Sequence, residues 1–325
     1  MRQVLVTGGA GFIGSALTLA LVARGDAVVA VDNLFSGSRE NLQAVSQSKR
    51  FKLVIGDIRD EALMEEYTST CDTVIHLAAL VGLKVVISNP LETLDCNVRG
   101  TEVVLRSAAR HGCRTIVASS SELYGLSTRF PSSESDPITF GAPTKLRWSY
   151  ACSKAIDEFF ALTLARERNL PATVVRLFNT VGPRQSARYG MVLPRFVRQA
   201  LDYEPLTVYG DGTQTRCFCY VGDVVDAVIA MLDEKATIGE IFNVGNPQEI
   251  AIRDLACRVI QHSGSSSSLR FIPFDEAYEC GFEDITRRVP DISKIRAAIG
   301  FEPRTSIDDA IVQVIESVRQ RQPAA

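Results

Sequence analysis

Histidine is scarce in this chain, three in 325 residues, and so little of it leaves a zinc site few ligands. Its eight cysteines do not fill the gap, because they are scattered, and Cys217 and Cys219 stand too close for a metal or redox pair. Reduced thiols and no metal are the expectation. Also missing is any apolar run near the roughly 18 residues that a membrane span needs, so no membrane partner is expected. A surplus of positive charge is absent too: 35 Lys and Arg against 38 Asp and Glu leave a net charge of -3, which gives nucleic acid no general attraction. The ligand should be a small molecule. No internal repeat is visible, which excludes solenoids and propellers. The first strand starts within three residues of Met1, leaving no room for a signal peptide, so the expected location is cytoplasmic.

What is present is an ordinary globular composition, 46% hydrophobic and 22% charged, long enough for one large α/β domain with an appendage. Residues 3–7 read as a strand, followed at once by Gly8-Gly9-Ala10-Gly11-Phe12-Ile13-Gly14 and an apolar helical pattern through Val22. Strand, glycine turn and helix are what a pyrophosphate needs, since its charge is met by the N–H groups at the helix start. Residues 27–31 read as a second, buried strand, and Asp32 follows its end. A carboxylate there can accept from both ribose hydroxyls and would repel a 2′-phosphate. The cofactor expected is NAD. Arg39 could turn toward such a phosphate, but a solvated surface arginine is the simpler reading of it.

Further strands are expected over 53–57, 73–77 and 115–118, with helices between them, including 102–109. Alternation of this kind implies a doubly wound parallel sheet of Rossmann type, with the cofactor held at the C-terminal ends of its strands. His76 lies near such a loop and is assigned cofactor contact at most. After the fifth strand come Ser119-Ser120-Ser121-Glu122, and soon afterwards Tyr150 and Lys154. On a helix these two lie one turn apart on one face. The cation favours phenolate over phenol, so Tyr150 is a candidate general base for alcohol oxidation.

From about residue 180 the pattern changes to turns and short elements: a helix over 191–201, strands over 206–209 and 241–244, a helix over 221–232 with Asp223 near its start, and an exposed serine loop over 263–268. The division expected is a dinucleotide-binding domain at 1–178, which also receives 216–245, and a smaller C-terminal α/β substrate-binding region from 179–215 and 246–325.

Assembled in this way, the sequence resembles the extended short-chain dehydrogenase/reductase family, specifically its nucleotide-sugar epimerases, dehydratases and decarboxylases. The resemblance covers nearly the whole chain. It rests on the glycine turn Thr7 to Gly14, Asp57-Ile58, His76-Leu77-Ala78-Ala79, Asn97-Val98-Arg99-Gly100-Thr101, the serine run around Ser120, and Tyr150 with Lys154. It implies Tyr150 as base, Ser120 bonded to the reacting sugar hydroxyl, and Lys154 on the nicotinamide ribose. NAD would be held by Gly8, Gly11, Phe12, Ile13, Gly14, Asp32, Asn33, Asp57, Ile58, Leu77, Ala78, Ala79 and Asn97 together with Tyr150 and Lys154. Asn179 and Arg216 look like the positions that hold a UDP-sugar diphosphate. The resemblance also implies a homodimer through helices flanking the sheet.

Oxidation at sugar C4 leaves the fate of the ketone open. In 4,6-dehydratases Asp then Glu typically come after the catalytic hydroxyl residue; here Ser121 then Glu122 do, which leaves dehydration without an obvious proton donor. Ser121, Glu122, Arg147-Trp148 and Arg287-Arg288-Val289-Pro290 instead resemble the UDP-glucuronate decarboxylases, in which an arginine matching Arg288 lies near the substrate carboxylate. The competing reading is a 4-epimerase, whose Arg-x-x-Asp pattern Arg288 and Asp291 fit, with Arg288 on the diphosphate and Asp291 on the ribose. Decarboxylation ranks ahead, because epimerisation has no need of Ser121, Glu122 and Arg147. A non-catalytic NAD-sensing protein would not need Ser120, Tyr150 and Lys154 together.

Overall fold

A computed structural model of the chain describes residues 1–277 and 285–321. Six strands, β1 (Gln3–Thr7), β2 (Ala27–Asp32), β3 (Phe51–Ile55), β4 (Thr73–His76), β5 (Arg114–Ser120) and β6 (Ala172–Leu177), are joined by Ile241–Val244 in one seven-stranded sheet. Its order runs from Ile241–Val244 through β6, β5, β4, β1 and β2 to β3. Every pairing is parallel. The order reverses between β1 and β4, and in a sheet of this kind the crevice above that point takes the ligand.

Helices cover both faces, so the central strands are buried on both sides and read as continuous apolar runs. One face packs α1 (Phe12–Arg24) with Val221–Asp233 and Ser293–Ile299, and buries Val4, Val6, Leu17, Leu21, Val224, Val228 and Ile295. The opposite face packs α2 (Glu61–Thr68), Gly100–His111 and Trp148–Arg168 over Leu5, Val74, Val117 and Val174. Each such side chain fully withdrawn from water contributes roughly 1.5–3 kcal/mol. The two faces together hold the strand ends in fixed register, and the ends carry the site.

A third core lies apart from the sheet. It is built by Val192–Leu201, Ile252–Ser263 and Ile307–Arg321 around Phe196, Leu255, Val259, Ile311 and Val314. A parallel pair, Leu206–Tyr209 with Leu269–Ile272, closes it. Chain and core do not follow one another simply. Residues 246–325 were expected to belong with this region, yet Ser293–Ile299 turns back onto the sheet, where Ile292, Ile295 and Phe301 find the apolar surface of Val221–Asp233. Residues 278–284 and 322–325 of the expected region lie outside the described residues.

The expected elements appear with shifted ends. The strand expected at 53–57 is Phe51–Ile55, and the helix expected at 102–109 is Gly100–His111. Shorter pieces carried no periodic signal: a 3-10 helix at Arg39–Val45, two short helices at Leu83–Ser88 and Pro90–Leu94, and a π-turn at Asp95–Arg99.

Candidate active site

The strand ends and the third core face each other across a cavity of about 500 Å3. On the sheet side, the chain leaves β1 and turns through Gly8, whose φ is +69°. A Cβ on Gly8 would stand 2.8 Å from the Ala78 backbone nitrogen, and one on Gly14 would stand 2.1 Å from the Gly8 carbonyl oxygen. Only hydrogen fits at either place. Helix α1 starts at Gly11 with no side-chain cap, and Gly11, Phe12, Ile13 and Gly14 line the cavity, so the uncapped N–H end opens onto it. An uncapped helix N-terminus on a glycine turn suits a pyrophosphate.

Asp32, Asn33, Ile58, Leu77, Ala78 and Ala79 line the same half. The Asp32 carboxylate is anchored, Oδ2 accepting from Ala10 N–H at 2.9 Å and Oδ1 from Leu34 N–H at 2.8 Å. Burial pushes its pKa up, with those backbone bonds opposing. Each oxygen keeps a second lone pair for a ribose hydroxyl.

Three of the expected cofactor contacts are not among the residues that line the cavity. Asp57 accepts from Arg59 Nη2 at 2.7 Å and Nε at 2.9 Å. Asn97 clamps the Leu80 backbone, accepting from its N–H at 2.8 Å, and donates to Ser153 Oγ at 3.2 Å, tying the loop after β4 to the helix of Tyr150. His76 lies 1% exposed beneath the glycine turn, its two ring nitrogens 2.7 Å from Thr7 Oγ1 and 2.9 Å from Thr101 Oγ1. Burial keeps the ring neutral, its pKa down at about 3.

Ser120 ends β5 and caps the short turn Ser121–Tyr124, its Oγ accepting from Glu122 N–H at 3.2 Å. The same side chain is hydrogen-bonded to Tyr150. Tyr150 and Lys154 lie in the helix Trp148–Arg168, and both line the cavity. Burial raises the Tyr150 phenol above its ordinary pKa, while Lys154 and the Ser120 bond pull the other way. The ammonium was expected to bring the phenol down; desolvation wins over it. Lys154 Nζ donates to Asp157 Oδ2 at 2.9 Å, one helical turn further on and wholly out of water.

Beside this group Glu122 is held between two arginines. Arg288 Nη1 lies 2.8 Å from its Oε1, and Arg147 Nη2 lies 3.2 Å from its Oε2. Arg288 Nη1 also donates to Ser121 Oγ at 3.3 Å. Burial works against the charge on Glu122, yet Arg288, Arg147 and Arg216 together hold its pKa below the usual range. Arg147 and Arg288 are each 8% exposed. Trp148 packs under the Arg147 guanidinium, 4.7 Å from ring centroid to Cζ. Asn179, donating to the Cys217 carbonyl at 3.0 Å, and Arg216 line the wall beyond.

Asp291 stands elsewhere. Its Oδ1 accepts from Ser293 N–H at 2.8 Å at the start of the next helix, and it does not line the cavity. Only half of the expected Arg-x-x-Asp pattern therefore reaches the site.

Sequence reading missed Phe35, which lines the cavity, and its neighbour Tyr189, whose ring stacks on it at 6.5 Å while Tyr189 Oη donates to the Phe35 carbonyl at 3.1 Å. It also missed Val81, Leu83 and Arg195 in the wall, and Asp157 behind it. For Asp157 a signal existed, a carboxylate three residues after Lys154; the others sit on loops and on separate helices, with no local feature that sets them apart.

Residues 4–245 match the NAD dependent epimerase/dehydratase family. The chain belongs to that family. It is 40% identical over 320 residues to the UDP-N-acetyl-alpha-D-glucosaminuronate decarboxylase of Bacillus cytotoxicus, covering 98% of each chain. To UDP-glucuronic acid decarboxylase 2 of Arabidopsis thaliana it is 36% identical, covering 98% of this chain and 68% of the other. Among solved structures, the UDP-glucuronic acid 4-epimerase of Bacillus cereus, in complex with UDP-glucuronic acid and NAD, superposes with a TM-score of 0.88 at 27% identity over 98% of this chain and 99% of that one. Family members of this kind are enzymes, and this chain carries their seven-stranded Rossmann-type sheet.

Proposed function

We propose that the enzyme decarboxylates a UDP-linked uronic sugar, UDP-glucuronate or its 2-acetamido relative, with NAD bound at the glycine turn. The observation that carries this reading is the Arg288–Glu122–Arg147 group beside Ser120 and Tyr150. Two guanidiniums around one carboxylate leave positive charge to spare, and arginine's planar fork suits a second carboxylate, that of the substrate. The similarity to decarboxylases over nearly the full chain supports the same choice.

Gly8, Gly11 and Gly14 with the α1 N-terminus would hold the pyrophosphate, Asp32 a ribose, and Lys154 the nicotinamide ribose. Bound NAD would supply reversible two-electron oxidation at the sugar's C4. Tyr150 takes the proton of the C4 hydroxyl, which Ser120 holds by a hydrogen bond. A ketone at C4 makes the C5 carboxylate a β-keto acid, so the C5–carboxylate bond breaks, CO2 leaves, and the electron pair passes into an enolate on O4. Ser120 and the protonated Tyr150 donate to that oxygen. A proton from water then adds at C5, and Tyr150 gives its proton back to O4 as the bound cofactor would return two electrons to C4. Glu122, being held charged, is not the donor; it keeps Arg147 and Arg288 in place.

The competing 4-epimerase reading draws less support, since Asp291 of its Arg-x-x-Asp pattern does not line the cavity. We further propose two units, 1–178 with 216–245 for the dinucleotide and 179–215 with 246–325 for the sugar nucleotide, with Ser293–Ile299 lent to the first. A homodimer and a cytoplasmic location complete the proposal. Support for the first is exposed apolar surface on the helices beside the sheet, with Phe159 68% and Leu91 79% exposed. Support for the second is that the seven cysteines among the described residues are free thiols, and that none of the described helices is long and apolar enough to cross a membrane.

The test is to supply purified protein with NAD or NADP and each of the two uronates. CO2 release with NAD is expected, lost in Glu122→Gln and Arg288→Ala while NAD binding persists. Conversion to the galacto-configured uronate without CO2 would replace this reading by the epimerase.

A further inference from the structure

Beneath the cavity floor lies a buried polar group. Lys154 and Asp157 form an ion pair at 2.9 Å with side chains 3% and 0% exposed. Asp157 Oδ1 is buried and has no hydrogen-bond partner, although the Thr101 side chain lies near enough to favour the carboxylate. Thr101 Oγ1 is bonded to His76, and His76 to Thr7, the last residue before the glycine turn. The strand ends of β1 and β4 and the start of Gly100–His111 thus meet behind Lys154.

An ion pair retained only for stability has little reason to be dry and half-satisfied, because two well-packed apolar side chains would serve as well. An ammonium that must stay charged in a dry place has such a reason. We propose that Asp157 is a positioning residue that keeps Lys154 charged and directed at Tyr150. The proposal rests on the reading of Tyr150 as the base.

The physical case is one of opposed effects on Lys154. Burial pulls its pKa down first; Asp157 is the largest opposing influence, followed by Tyr150, and the outcome is a raised pKa. Other groups around it add little to the balance. His76 is neutral, Cys96 is a protonated thiol pushed up to about 11, and Glu158 is committed to Arg176 at 2.7 Å. Glu122 is committed to its own arginines. With Asp157 neutralised, burial loses its largest counterweight, and the ammonium gives up its proton at lower pH.

The chain has seven lysines, few enough to resolve by NMR after 13Cε-lysine labelling, with Lys154→Met identifying the signal. In the full-length protein the Lys154 signal should titrate at distinctly lower pH in Asp157→Asn than in the parent. The alkaline limit of turnover should move down with it. Asp157→Ser is the second variant should the asparagine not fold. A folded variant whose Lys154 titration is unmoved, with only thermal stability reduced, makes the pair structural and overturns the proposal. The NMR readout requires no substrate, so absence of CO2 release would count against the decarboxylase reading alone.

Discussion

Individual residues differ in how far their type announced their place. Tyr150, Lys154 and Ser120 were legible because helix spacing and a strand end fix their positions within narrow limits. Arg147 and Arg288 were legible only by resemblance, since an arginine in a loop is ordinarily solvated and nothing local says that it will be buried on Glu122. Asp57, Asn97 and Asp291 were named from matching positions, and their side chains hold the Arg59 guanidinium, the Leu80 backbone and the Ser293 N–H outside the cavity lining. His76 adds a pH dependence of its own. The ring is neutral in the fold, its pKa lowered from 6.5 to about 3, so below 6.5 the unfolded chain binds a proton that the folded chain does not. Its contribution to stability is complete above pH 6.5 and is lost as the pH falls from there toward 3. Melting temperatures measured across that range should decline with acid, and His76→Gln, which can still bond both threonines but cannot titrate, should flatten the decline. An equal slope in both proteins would remove His76 as a cause.

At the scale of elements, the central strands were visible because burial on both faces makes them unbroken apolar runs, and helices such as Val221–Asp233 and Trp148–Arg168 because they are long. The short helices between β4 and Gly100–His111 were not visible, since pieces of five or six residues have no period to read and are held by the loops they support. The glycine turn was legible in kind, and the structure adds its tolerance. Gly8 has a left-handed backbone and stands against the chain at Leu77 and Ala78. Gly8→Ala should cost about 1–3 kcal/mol from backbone strain, read as a lower denaturant midpoint. It should also weaken NAD binding, because relief of the clash displaces the N–H groups at the start of α1. Unchanged stability and affinity would show that the turn accommodates a methyl group.

For the whole molecule, the sheet with helices on both faces was deducible from alternation alone. The third core was not, because its helices and paired strands come from separated stretches whose company only tertiary packing decides. The surface raises a matter of its own. Phe159 projects from the helix Trp148–Arg168 with 68% of its surface exposed, and Leu91 is exposed at 79%. Large apolar side chains left open on helices beside the sheet fit a second copy of the chain. Light scattering should give the mass of two chains for the parent and of one for Phe159→Glu, with a monomeric parent refuting the pairing.

The contact between Arg288 and Ser121 joins residues 167 positions apart. During synthesis β1, α1 and their neighbours leave the ribosome long before residue 288 exists, so the arginine group around Glu122 is completed only from the far end of the chain. A chain ended before residue 285 would lack Arg288 and also the Ser293–Ile299 packing on the sheet and the Ile307–Arg321 helix of the third core, so the far end of the chain completes the site and both cores together.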